Sequence, residues 1–361
     1  MTCISAGTGA LFLLIAGVVD AISTPVQEKD DTKSLLMRWR EMVAPEILMP
    51  APMLPSVITA LQDRFFLHCL WEQADPDAVL KLVGTRVRGL AVSTLAGRID
   101  SDWLERLPAL EIIANFGVGY DNVDAETAAS RGIVVTNTPG VLDEEVADLT
   151  MGLLLATLRR IPQADRFVRE GGWLSGKFPL SPTLRGRRIG ILGLGAIGKA
   201  IARRLEAFGV PIAYHGRSRQ RDVSYEYHAT PTALAAVSDV LIAIVPGGPA
   251  TKHLVDAEVL AALGPDGVLI NVSRGSVVDE AALIQALQAG TILSAGIDVF
   301  EDEPRVPPAL LQMPNVVLLP HIGSASHRTR AAMGQMVVDN LISWFDNGRA
   351  ISPVAETAAR S

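Results

Sequence analysis

From residue 46 onward, short apolar runs alternate with helix-forming segments, and this alternation predicts the fold. The runs are EILM, RFFLHCL, VRGLAV, LEIIANF and GIVVTNT, followed by RRIGIL, VPIAY, DVLIAIV, DGVLINV, ILSAGIDV and NVVLLP. Aliphatic and β-branched runs separated by helical stretches mark βαβ units on a parallel sheet. Two such series in succession predict an α/β chain of two doubly wound parallel-sheet domains. Pro139 and Gly140 close the first series, and a long apolar helix starts near Glu144. After the last run, Met333, Val337, Leu341, Trp344 and Phe345 recur at helical spacing in a segment ended by Gly348. That amphipathic helix is expected to return and pack on the first domain.

Composition narrows the picture. The chain has 361 residues, 49% hydrophobic and 20% charged, with a net charge of −7. This is a folded, globular composition, and the charge argues against nucleic acid as a partner. Cys3 and Cys69 are too few for a disulfide framework and have no metal-ligand spacing, so a reducing, cytoplasmic setting is expected. The apolar run Gly9 to Val19 is too short to span a bilayer, which takes about 20 residues. No Lys or Arg precedes it as in a secretory signal. Residues 1–45 are therefore expected to be a disordered extension, and no membrane partner is expected.

The chemistry starts at Gly193-Leu-Gly195-Ala196-Ile197-Gly198, which leaves the RRIGIL run and opens a helical segment stopped by Gly209. Such a turn lets the chain bend sharply, lets a pyrophosphate approach the backbone, and packs helix against strand, with the anion on the helix N-terminus. About 20 residues later a NAD-binding unit places an acid for the ribose. Here stand His215, Gly216, Arg217, Ser218 and Arg219. Losing the acid removes repulsion, and two arginines with a hydroxyl suit a phosphate, so NADP is the expected cofactor, with NAD as the alternative. The similar Gly117-Val118-Gly119 lacks the third glycine and reads as a decoy.

Three ionisable residues end successive runs of the second series: Arg274, Glu303 and His321. Ligands of open α/β sheets bind at that edge. Reduction of a carbonyl leaves an alkoxide that needs a proton, which makes His321 the candidate general acid and Glu303 the group that orients it. Arg274 would grip a substrate carboxylate. No histidine or cysteine arrangement suggests a metal.

These residues resemble the D-isomer-specific 2-hydroxyacid dehydrogenase family over about residues 46–350, through FGVGYDNVD, GLGAIG, INVSRGSVVDE, DVFEDEP and LLPHIGSAS. The resemblance implies a flavodoxin-like substrate-binding domain from residues 46–145 and 326–355, a Rossmann NAD(P)-binding domain from 146–325, a cleft between them, and a homodimer. It repeats the roles of Arg274, Glu303 and His321. It also turns the apparent decoy into a substrate loop at Val118 and Gly119, with Leu95 beside them, and adds Thr150, Val245, Pro246 and Asp298 as cofactor contacts. Within the family, HGRSRQ and PGGPATKHLV are most similar to NADPH-dependent glyoxylate/hydroxypyruvate and hydroxyphenylpyruvate reductases. Trp71 either lines a pocket for an aromatic keto acid or belongs to the core. A rival reading from another class is a nucleotide-sensing, corepressor-like binding protein without activity.

Overall fold

Residues 44–360 are described by the structure, a computed structural model, so the run Gly9 to Val19 lies outside the described residues. Each expected run contains a strand. The first series gives β1 (Glu46–Met49), β2 (Phe66–Cys69), β3 (Val87–Val92), β4 (Ile112–Asn115) and β5 (Val134–Thr136). These form one parallel sheet in the order β2-β1-β3-β4-β5. The second series gives β6 (Ile189–Leu192), β7 (Ile212–His215), β8 (Glu226–Tyr227), β9 (Val240–Ala243), β10 (Val268–Asn271), β11 (Ser294–Ile297) and β12 (Val316–Leu318). Their order is β12-β11-β10-β9-β6-β7-β8, again parallel. Among the described residues, the only strand the runs did not announce is β8, a two-residue edge strand paired with β7.

The central strands are largely apolar because helices cover both faces: every residue of β4, β6, β9, β10 and β11 is buried, the polar ones being Asn115, Asn271 and Ser294. One face of the larger sheet packs against the long helix Asp143–Arg159 and the helix Ala196–Glu206, joining Leu154, Leu158, Ala200, Ile201 and Leu205 to Ile189 and Ile191. Acids in the N-terminal half of the long helix also pair with the second helix: Arg203 with Glu144 at 2.6 Å, and Arg204 with Asp148 at 2.6 Å.

The C-terminal helix His327–Asn347 crosses back to the smaller sheet, as its periodicity predicted. Val337, Val338 and Leu341 are buried against Ile47, Met49, Val57 and Ile112, and Gly348 ends the helix at φ +67°. The tail then reaches β5, where Thr136 bridges Pro353 and the Thr357 hydroxyl donates to the Val135 carbonyl at 3.1 Å. Both ends of the described chain thus build one sheet layer, and the larger sheet is inserted between them. Strand order reverses between β6 and β9, and the crevice for a ligand opens at that point.

Candidate active site

The glycine turn lies at this switch point, directly after β6. Gly193 sits at φ +99°, and a Cβ there would stand 2.5 Å from the Ile244 carbonyl oxygen after β9, so only glycine fits. A Cβ on Gly198 would collide with the Gly193 carbonyl oxygen. Gly195 differs: nothing lies within 4 Å of where its Cβ would be, and it caps the N-terminus of Ala196–Glu206. That open space before unpaired helix N–H groups is the cradle a pyrophosphate requires. Ala196 is exposed, while Ile197 is half-buried against both the sheet core and the cleft cluster.

Arg217, Ser218 and Arg219 follow β7, all exposed, and none of their side chains makes a hydrogen bond or ion pair. Gln220, which the sequence reading passed over, anchors this loop. Its backbone N–H donates to the Tyr214 hydroxyl and its side chain to the Leu194 carbonyl, both at 2.7 Å, which ties the arginines to the glycine turn. Arg217 lies near enough to Tyr120, on the loop after β4 of the other sheet, to act on its phenol. Burial and the Glu356 carboxylate raise that phenol's pKa, and the Arg217 charge opposes them.

Across the crevice, the loop after β4 has been turned so that its amides are free. Asn115 donates to the carbonyls of Gly117 at 3.2 Å and Gly119 at 3.0 Å, and Asn137 to that of Val118 at 2.8 Å. The N–H groups of Val118 and Gly119 have no acceptor. Two adjacent donors with inward-held carbonyls form a receptor for an anion. Neither asparagine carries a motif that sequence alone would single out.

Beside this loop stand the three ionisable residues. His321 Nδ1 bonds Glu303 Oε2 at 2.7 Å, and Glu303 Oε1 accepts the Phe300 N–H at 3.0 Å. Burial pushes the Glu303 carboxyl up, but its bond to His321, that residue's charge, the Phe300 N–H and the Arg274 charge outweigh it, so its pKa lies below the ordinary range. The carboxylate therefore stays ionised where an imidazole titrates. Its partner's Nε2 makes no bond to protein.

His321 holds a left-handed backbone, φ +54°, unusual for a residue with a side chain. Asp298 fixes it there. Its carbonyl accepts the His321 N–H at 2.8 Å, and its carboxylate accepts those of Ile322 at 2.8 Å and Gly323 at 2.9 Å. Only 1% exposed, Asp298 has its pKa raised, chiefly by burial. The structure thus shows Asp298 as the support of the His321 loop.

Other expected positions are less direct. Val245 packs on Gly193, and Pro246 is exposed on the loop after β9. Thr150 has no exposed surface, and its hydroxyl donates to the Val146 carbonyl at 2.7 Å. Leu95 is exposed on the turn Thr94–Ala96 after β3. Trp71 packs in the core between the smaller sheet and the C-terminal helix. Among the described residues, no group of three or more His, Cys, Asp or Glu could hold a metal, and no helix is long and apolar enough to cross a membrane.

Comparison with known proteins agrees with this geometry. Residues 151–323 match the model of the D-isomer specific 2-hydroxyacid dehydrogenase, NAD binding domain. The chain is 44% identical over 313 residues to a hydroxyphenylpyruvate reductase of Plectranthus scutellarioides, covering 87% of this chain and 100% of that one. It is 44% identical to glyoxylate/hydroxypyruvate reductase A of Arabidopsis thaliana, covering 85% and 98%. A crystal structure of an NADPH-dependent glyoxylate/hydroxypyruvate reductase from Sinorhizobium meliloti, in complex with NADP and malonate, superposes with TM-score 0.84 at 56% identity, covering 88% of this chain and 99% of that one. With full-length relatives of this kind and its own glycine turn, arginine and histidine–glutamate pair in order, the chain belongs to the D-isomer specific 2-hydroxyacid dehydrogenase family.

Proposed function

We propose that this protein is an NADPH-dependent reductase of small 2-keto acids, with glyoxylate and hydroxypyruvate as first substrates and D-2-hydroxy acids as products. The observation that carries this reading is the His321–Glu303 pair at 2.7 Å, held beside Arg274 and two unbonded N–H groups. A carboxylate receptor next to a proton donor is what a 2-keto acid needs. In this reading residues 146–325 hold the nucleotide and residues 46–145 with 326–355 hold the substrate.

Gly193, Gly195 and Gly198 would seat the pyrophosphate, and Arg217, Ser218 and Arg219 the adenosine 2′-phosphate. NADPH, when bound, supplies the hydride. The Val118 and Gly119 amides and the Arg274 guanidinium take the substrate carboxylate, leaving its carbonyl toward His321. Nε2 of protonated His321 gives its proton to the carbonyl oxygen as negative charge develops there, and the ionised Glu303 stabilises the imidazolium on its other side. The intact pair, with Arg274 beside it, favours turnover over a nucleotide-sensing binding protein without activity.

The decisive measurement is a panel of keto acids, among them glyoxylate, hydroxypyruvate and hydroxyphenylpyruvate, each assayed with NADPH and NADH. Turnover should be fastest with one of the small acids and NADPH. A maximum with hydroxyphenylpyruvate would move the substrate to the aromatic class of the Plectranthus relative. No oxidation of NADPH with any keto acid would end the enzymatic reading.

A homodimer and a cytoplasmic setting belong to the same proposal. Supporting the dimer, Ile161, Val168, Trp173, Leu174 and Leu180 are all exposed within one short segment, the last two at 95% and 99%. Apolar surface so concentrated is characteristic of an interface. Light scattering after gel filtration should give the mass of two chains, and Leu174→Glu with Leu180→Glu should shift it toward one. A monomeric parent protein at micromolar concentration would refute the assignment. The cytoplasmic setting rests on the cysteine usage, with Cys69 buried and unpaired.

A further inference from the structure

Arg274 does not stand alone in the cleft. Its Nε donates to Oδ1 of Asp121 at 2.9 Å, a bond between residues 153 positions apart that joins the loop after β4 to the loop after β10. Its Nη1 donates to the Ser273 carbonyl at 2.7 Å, and Nη2 lies against Gly119, where any Cβ would collide with it. Gly247, on the loop after β9, closes the other side: a Cβ there would stand 2.9 Å from Arg274 Cγ and 3.0 Å from Asp121 Cγ.

We infer that Asp121 is a positioning residue for Arg274, which sets the guanidinium so that its free donors lie beside the Gly119 amide and thereby determines how tightly a keto acid is held. This rests on the reading of Arg274 as the group that receives the substrate carboxylate. A guanidinium is a planar fork with five donors in fixed relation, so fixing one edge fixes the other. With Nε on Asp121 and Nη1 on Ser273, the rotation of the plane is set and the Nη2 edge is left for the ligand. The two glycines leave room for this arrangement, and the bond crosses the cleft. Asp121 thus acts on the substrate through a residue of the opposite domain, without touching it.

The test is a small set of variants assayed with glyoxylate and NADPH. Asp121→Ala should raise KM for glyoxylate on the order of tenfold, with a smaller effect on kcat and none on NADPH affinity measured by fluorescence. Asp121→Asn keeps an acceptor oxygen for Nε and should recover most of the loss. Gly247→Ala, which presses on the pair from outside, should raise the same KM. In an Arg274→Lys background, where the fork is gone, Asp121→Ala should add nothing. An unchanged KM in Asp121→Ala, or a full effect of it in the Arg274→Lys background, would overturn the inference while leaving the role of Arg274 standing. An unchanged KM in Arg274→Lys itself would remove the carboxylate-holding reading, and the inference with it.

Discussion

Replacing His321 by Gln is expected to lower kcat for keto-acid reduction by about 10²- to 10⁴-fold, about 3–5.5 kcal/mol of barrier, and to leave NADPH binding unchanged. Glutamine can still donate a hydrogen bond to a carbonyl, but it cannot surrender the proton that an alkoxide needs. The fold should tolerate the change, because the imidazole touches protein through one bond, to Glu303. The loop that carries it is held by Asp298 through backbone N–H groups that the substitution does not alter. Glu303 keeps the Phe300 N–H on Oε1, and Oε2, which loses the imidazole, belongs to a side chain 35% exposed, so water can replace that bond. Stopped-flow or steady-state oxidation of NADPH, with cofactor affinity measured separately, reads both quantities. Turnover near the parent rate would show that the proton comes from elsewhere.

Replacing Arg217 by Asp is the second large effect, and it concerns which nicotinamide cofactor is used. Arg217 is exposed at the end of β7 and has no bond to lose within the protein. Stability should therefore be unaffected. One charge-assisted bond to a phosphate, replaced by a repelling carboxylate, should raise KM for NADPH by about 10- to 100-fold or more. NADH has no 2′-phosphate, and an acid at this strand end can bond its ribose, so its KM should change little or improve. The ratio of the two kcat/KM values is the quantity to compare. A ratio equal to that of the parent protein would place the phosphate site elsewhere.

What the chain revealed beforehand was local. Strands buried on both faces must be apolar runs, so β6, β9, β10 and β11 were all visible as such. The glycines of the turn declared themselves because strand, turn and helix follow one another within a dozen residues. His321, Glu303 and Arg274 were legible for a related reason: each is the polar residue that ends an apolar run. Features built from distant pairs were not legible. Asp121 reads as an ordinary loop acid until the fold brings Arg274 beside it. Asn115 and Asn137 reveal their purpose only when the carbonyls they hold are seen to free two amides. β8 is two residues long and depends on β7 for its identity, which no periodicity can encode.

The return of the C-terminal helix to the smaller sheet has a consequence for how the polypeptide is made. Sheet β1–β5 leaves the ribosome before the larger sheet, yet Val337, Val338 and Leu341, which seal one of its faces, are synthesised only after the larger sheet is complete. The inserted layer holds its own helices and core between those two points, and it can close while the earlier strands still wait with an open apolar side. Nascent chains halted before residue 327 should therefore bind a holdase chaperone through the strands translated earliest, although the glycine turn beyond them is already formed.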